Sequence, residues 1–236
     1  MKKRPSGLAP DLGKRRMLQA LGLAACCGAL GLPLAERASA AVRYPESIAA
    51  LRKGVVAETR AHRRYVAFGQ HAQGEGYKGL AYLYTALATS ELIHAQNYVR
   101  VLLGLGVESS EPETEPAPLK SAKENLIYAA ERELHSIEKT YPELLKTVEA
   151  EGYAAAVSAV EYSWASHRQH LDIIQKIRRW SPSFFESVAR KIDESTDRYY
   201  VCQVCGSTVT EMPEETCPVC GEVVSVYRRI PPDSFF

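Results

Sequence analysis

The chain has 236 residues, 46% of them hydrophobic, and a formal net charge of +1. That length holds one ordinary domain and a small one, and the composition is that of a soluble globular protein. Residues 1–40 carry seven Lys/Arg and two acids, which leaves 22 basic and 26 acidic residues and a net of −4 for the remainder; this excludes the basic footprint of a nucleic-acid binder.

The first 40 residues read as an address. A basic stretch ends in Arg15-Arg16, an apolar Ala/Leu/Gly run follows from Met17 to Ala35, and Ala38-Ser39-Ala40 supplies the small residues of a cleavage site. This is the order of a secretory signal. Lys14-Arg15-Arg16-Met17-Leu18-Gln19 is similar to the twin-arginine signals of bacterial export. The expected location is periplasmic, with cleavage after Ala40. Leu23-Ala24-Ala25-Cys26 offers the alternative of a lipid anchor at Cys26. Pro33 and three glycines make the run a poor membrane-spanning helix, so no span is expected once the signal is removed.

From 41 to 180 the expectation is an all-α four-helix bundle. Helices are predicted at 46–73, 75–104, 119–149 and 152–179. Gly74 and Gly76 mark the first turn, and the acidic, Pro-rich 107–118 forms a longer crossover. Pro142 should kink the third helix. Glu91 and His94 form a Glu-x-x-His unit, and residues three apart share a helix face. Glu58 and Glu133 sit mid-helix, with Tyr65 and Tyr141 two turns on, and His167 and His170 repeat the spacing of three on the fourth helix. Any one Glu on a charged helix is ordinarily a solvated residue, as Glu124, Glu131, Glu138 and Glu149 are expected to be; His62, His71 and His135 are expected at the surface. Buried carboxylates and imidazoles on four helices together point to metal, because burying them unpaired is costly.

After a linker at 181–197, the segment 198–236 holds Cys202-x-x-Cys205-Gly206 and Cys217-x-x-Cys220-Gly221, with eleven residues between the two pairs. Four thiolates at this spacing make a tetrahedral site for iron or zinc; two disulfides are the alternative.

The sequence resembles rubrerythrin over residues 44–231. The resemblance is carried by Glu58-Thr-Arg-Ala-His-Arg-Arg-Tyr65, Glu75-Gly76-Tyr77, Glu91-Leu-Ile-His94-Ala95, Asn125-Leu126 through Glu133, Tyr141-Pro142 and Glu151-Gly152-Tyr153. It implies a ferritin-like bundle with a di-iron site on Glu58, Glu91, His94, Glu133 and His170, and Tyr65 and Tyr141 beside it. It also implies a rubredoxin-like iron centre on Cys202, Cys205, Cys217 and Cys220, hydrogen peroxide as substrate, an unidentified electron donor, and a homodimer. Two positions depart from the family pattern. His167 stands where the fourth helix has Glu, and Ser136 where the third has a second Glu. Two negative charges are lost, which should stabilise an oxidised metal pair less and raise its reduction potential. A non-enzymatic metal-binding or electron-transfer protein with an altered bundle site is the alternative function.

Overall fold

The computed structural model describes residues 43–110, 112–178 and 198–231. The expected leader, with Cys26 and Ala40, and the linker at 181–197 lie outside the described residues.

The first helix, α1 (Pro45–Gly74), opens with proline in its first turn, where the missing N–H costs nothing. Its free N–H groups at Glu46 and Ser47 donate to the Glu151 carboxylate at 3.0 and 2.8 Å. Gly76, at φ 91°, turns the chain into α2 (Lys78–Gly104). This helix starts at Lys78 rather than 75, because Glu75 and Gly76 belong to the turn. The crossover leads to α3 (Ala122–His135), capped by a reciprocal box between Ser121 and Glu124. The expected continuous third helix is divided. A π-helical segment, Ser136–Thr140, joins α3 to α4 (Tyr141–Glu151), and Pro142 stands in the first turn of α4. Proline cannot complete the α-helical bond to the preceding turn, and the wider π turn absorbs that loss, so the anticipated kink is a change of helical pitch. Gly152 at φ 70° ends α4, and α5 (Ala154–Arg178) is the last bundle helix.

Each of the four bundle helices crosses from one apolar layer to another, the third of them made of α3, the π segment and α4 together. On α1 the layers hold Leu51 and Val55, then Tyr65 and Phe68; on α2, Leu80, Leu83 and Leu87, then Tyr98 and Leu102. The third bundle helix passes from Leu126 and Ala129 to Tyr141 and Val148, and α5 from Ala156 and Val160 to Ile174. Glu58, Glu91, His94, Glu133, His167 and His170 all lie at the passage between the layers.

The C-terminal segment is a three-stranded antiparallel sheet, β1 (Tyr200–Cys202), β2 (Thr208–Val209) and β3 (Tyr227–Arg229), in the order β2-β1-β3. It packs on α2 and α5. Tyr82 on α2 accepts from the Tyr199 amide at 3.1 Å and donates to the Ile230 carbonyl at 2.8 Å. The first cysteine loop is pinned by Ser90, whose hydroxyl donates to the Gly206 carbonyl at 2.6 Å, and by Asn97, which donates to the Val204 carbonyl at 2.8 Å. On α5, Gln169 accepts from the Thr208 amide at 3.1 Å.

Gly206 is the closest approach. Its φ is 79°, and a Cβ there would lie 2.4 Å from His94 Nε2 and 2.9 Å from Ser90 Oγ. Gly221 has nearly the same φ, 77°, and open space around it. Gly221→Ala should therefore cost about 1–2 kcal/mol from the left-handed backbone alone, and Gly206→Ala a further 1–3 kcal/mol or so from overpacking. Thermal denaturation of both variants checks this; equal losses would contradict the docked contact.

Candidate metal centres

Six bundle side chains come together. Glu58, Glu91, His94 and His167 form one group of converging donors, and Glu91, Glu133, His167 and His170 a second, all buried. The donor atoms stand at ligand-like spacings. His94 Nδ1 is 3.0 Å from Glu91 Oε2 and 3.6 Å from Glu58 Oε2. His167 Nε2 is 3.0 Å from Glu91 Oε2 and 3.4 Å from Glu58 Oε2. An ion with bonds of about 2.1 Å has donors roughly 3.0–3.4 Å apart, so an ion fits among them with small adjustments. Glu91 Oε1 and His170 Nδ1 are 3.4 Å apart, yet neither makes a hydrogen bond. Buried polar atoms rarely stay unsatisfied, and a cation between these two satisfies both.

Two phenols hold the carboxylates from outside. Tyr65 donates to Glu133 Oε1, and Tyr141 donates to Glu58 Oε1 at 2.7 Å. Burial, then the charge of the neighbouring carboxylate (Glu133 for Tyr65, Glu58 for Tyr141), keeps both phenols protonated far above their ordinary range. Beyond Tyr65 lies Arg64, nearly buried, its guanidinium 5.2 Å from the Tyr65 ring centroid. Ser136 belongs to neither donor group. His135 is exposed, as expected, whereas His62 is half-buried with Nδ1 2.8 Å from the Ala88 carbonyl oxygen.

The four cysteines are buried and reduced. Cys202 and Cys220 sulfurs are 3.7 Å apart, and Cys205 and Cys217 sulfurs 3.5 Å. A tetrahedral ion with sulfur bonds near 2.3 Å separates its ligands by about 3.7 Å, so the set fits a four-thiolate centre and not the pair of disulfides. The Ser207 amide points at Cys205 Sγ and the Tyr227 hydroxyl at Cys217 Sγ, at 3.4 and 3.2 Å. The docking residues Ser90, Asn97 and Gly206 carry no site signature in the sequence. They were legible only as a small residue near a Glu-x-x-His unit, a polar residue one turn after it, and the glycine of a knuckle.

A family model described as Rubrerythrin matches residues 49–178. The chain belongs to the rubrerythrin family. Rubrerythrin-2 of Clostridium acetobutylicum is 30% identical over 171 residues, covering 72% of this chain and 89% of the relative. Nigerythrin of Nitratidesulfovibrio vulgaris is 25% identical over 170 residues, covering 72% and 79%. The fully reduced, all-ferrous structure of nigerythrin shares the fold, with a TM-score of 0.66 at 23% identity over 78% of this chain and 86% of that one. The bacterioferritin of Desulfovibrio desulfuricans, described with a diiron site, has a TM-score of 0.60 at 21% identity, covering 65% and 90%. The ferritin-like bundle with a small cysteine-bearing domain is thus the architecture of this rubrerythrin-family chain.

Without metal, the bundle cluster is a set of coupled ion pairs. Burial opposes ionisation of Glu58 and Glu91, but hydrogen bonds from His167 and His94 hold Glu58 below its usual 4.5. The charge of His167, with hydrogen bonds from His167 and His94, holds Glu91 well below it. Burial likewise opposes protonation of His94 and His167. Hydrogen bonds to Glu58 and Glu91 raise His94 above 6.5, and the charges of Glu133 and Glu91 raise His167 well above it. The depressed carboxylates stabilise the fold above 4.5, and that contribution is lost as pH falls through their folded values. The raised imidazoles stabilise it below 6.5, and theirs is lost as pH rises through their folded values. Chelator-stripped protein should therefore melt highest between 4.5 and 6.5 and lose stability on the alkaline side, while loaded protein is protected there, since metal binding displaces the protons. Melting curves across pH check this; a stripped protein that keeps gaining stability above that window would contradict it.

Proposed function

We propose that this chain is an iron-dependent oxidoreductase that reduces hydrogen peroxide at a two-iron site in the bundle, with electrons entering through an iron held by the four cysteines. The observation that carries the reading is the pair of overlapping donor groups sharing Glu91 and His167, with Glu91 Oε1 and His170 Nδ1 of the second group left unsatisfied. Family membership favours iron over zinc at the cysteines, because zinc has no redox chemistry to offer such a centre.

Glu58, Glu91, His94, Glu133, His167 and His170 would hold the pair, and Cys202, Cys205, Cys217 and Cys220 the single ion. Iron, when bound, supplies the two electrons that reduce one peroxide to two waters, with two protons consumed. The residues of this chain set the conditions. Tyr65 and Tyr141 fix one oxygen each of Glu133 and Glu58, which leaves the other oxygen directed at the donor cluster and keeps a phenolic proton within one carboxylate of it. The two apolar layers exclude bulk water, which strengthens every interaction inside. Gly206 follows Cys205 directly and touches His94, so the link from the thiolates to a bundle ligand is covalent except for one van der Waals contact. That contact is the electron route.

The reading extends to location and assembly. The basic stretch ending in Arg15-Arg16, the apolar run to Ala35 and the small residues at 38–40 support export by the twin-arginine route, which carries folded, metallated proteins. Among the described residues no helix is long and apolar enough to cross a membrane. A homodimer is the assembly that the family resemblance favours, and the electron donor is a separate protein or small reductant.

Reduced full-length protein should recover its thiolate-to-iron absorbance when hydrogen peroxide is added, at two electrons per peroxide. Glu91→Ala should slow that recovery by about tenfold or more and leave the visible spectrum of the cysteine centre intact. Recovery at the wild-type rate in Glu91→Ala, or none in the wild type, would contradict the proposal.

A further inference from the structure

We propose that His167 bridges the two metal positions of the bundle through both nitrogens of its ring, doing the work of a bridging carboxylate. The inference rests on the two-metal reading above and concerns what joins the two ions.

The donor geometry is divided about this ring. Nε2 faces the first donor group, 3.0 Å from Glu91 Oε2 and 3.4 Å from Glu58 Oε2. Nδ1 faces the second, 2.6 Å from Glu133 Oε2. Only Glu91 and His167 belong to both groups. Glu91 is divided in the same manner, with Oε2 3.0 Å from His94 Nδ1 and Oε1 3.4 Å from His170 Nδ1. The two shared residues therefore stand between the positions, and the other four stand outside them, two on each side.

The ring is held in this orientation. It is 3% exposed, with its centroid 4.8 Å from the Tyr141 ring, 5.4 Å from His94 and 5.3 Å from His170. Rotation that withdrew one nitrogen would have to displace these neighbours.

Charge favours the bridge. Di-metal bundles of this architecture use a Glu-x-x-His unit from each of two helices, and here the second unit is His167-x-x-His170. A neutral imidazole offers one lone pair and can serve one ion. Bound on both nitrogens, the ring has given up its N–H proton to solvent and carries the negative charge that the missing carboxylate would have supplied. A cation on one nitrogen makes the other N–H more acidic, as it does a bound water. The rival arrangement has Nε2 on one ion and the Nδ1–H donating to Glu133 as an orienting hydrogen bond, the usual fate of a ligand's second nitrogen. The two differ in distance. Ions on opposite nitrogens of one ring lie farther apart than the roughly 3.5–4 Å of a typical two-metal site.

The test is the crystal structure of the iron-loaded full chain, with anomalous scattering locating the irons. The bridge predicts two bundle irons more than about 4 Å apart, each bonded to a different nitrogen of His167. His167→Glu should bring them back to about 3.5–4 Å, and His167→Gln should lose one of the two. Two irons at about 3.5–4 Å in the wild type, with Nδ1 still against Glu133, would overturn the bridge and leave the two-iron reading standing. A single bundle iron would overturn both.

Discussion

The structure depends on one constraint: six ionisable side chains are buried at the centre of the bundle with little water to solvate them. Three are carboxylates and three imidazoles, and the positive charge that compensates them must come from protons or from metal. Isolated charges in such a place are very costly, and even paired ones return little stability once desolvation is counted. Sequences do not retain such a cluster for packing, since apolar residues of equal volume would fill it better. The rest of the bundle is arranged around it: two apolar layers that close it off, two tyrosines that orient its outer carboxylates, and a π segment that lets α4 set Tyr141 against Glu58.

The second consequence lies at the junction of the two domains. The knuckle touches α2 at the residues that flank its Glu-x-x-His unit, with Ser90 and Asn97 gripping the loop through its carbonyls. Gly206 serves two purposes there. It turns the backbone around the cysteine site, and its missing side chain lets the loop reach His94. The tightness of the contact therefore comes from what the knuckle requires locally, and the short path between the two centres follows without any residue dedicated to it.

The fold and the donor set were legible in the sequence because both are local or periodic signals. Glu91 and His94 share a face by spacing, as do His167 and His170, and Glu58 and Glu133 fall mid-helix in register with a tyrosine two turns away. The paired Cys-x-x-Cys units announce themselves at short range. What the sequence did not show is set by distance along the chain or by competition between rules. Ser90 meets Gly206 across 116 positions, and the acceptance of the α1 amides by Glu151 spans more than a hundred; neither has a local signature. Pro142 signalled a break but not its form, since a kink and a π turn satisfy the same missing hydrogen bond. Glu75 falls inside the helix expected from 75, and the left-handed Gly76 beside it places it in the turn. His167 was legible as a departure from the family pattern, while the way its two nitrogens divide between the donor groups is set by the packing of four helices around the ring.

The account stands on metal filling both centres. Elemental analysis of protein purified without added metal, normalised to chain concentration, addresses that directly. Two donor groups in the bundle and one set of four thiolates predict about three irons per chain. One zinc per chain with an empty bundle would contradict the account, because the buried cluster would then be neutralised by protons alone and the cysteine domain would be a structural knuckle.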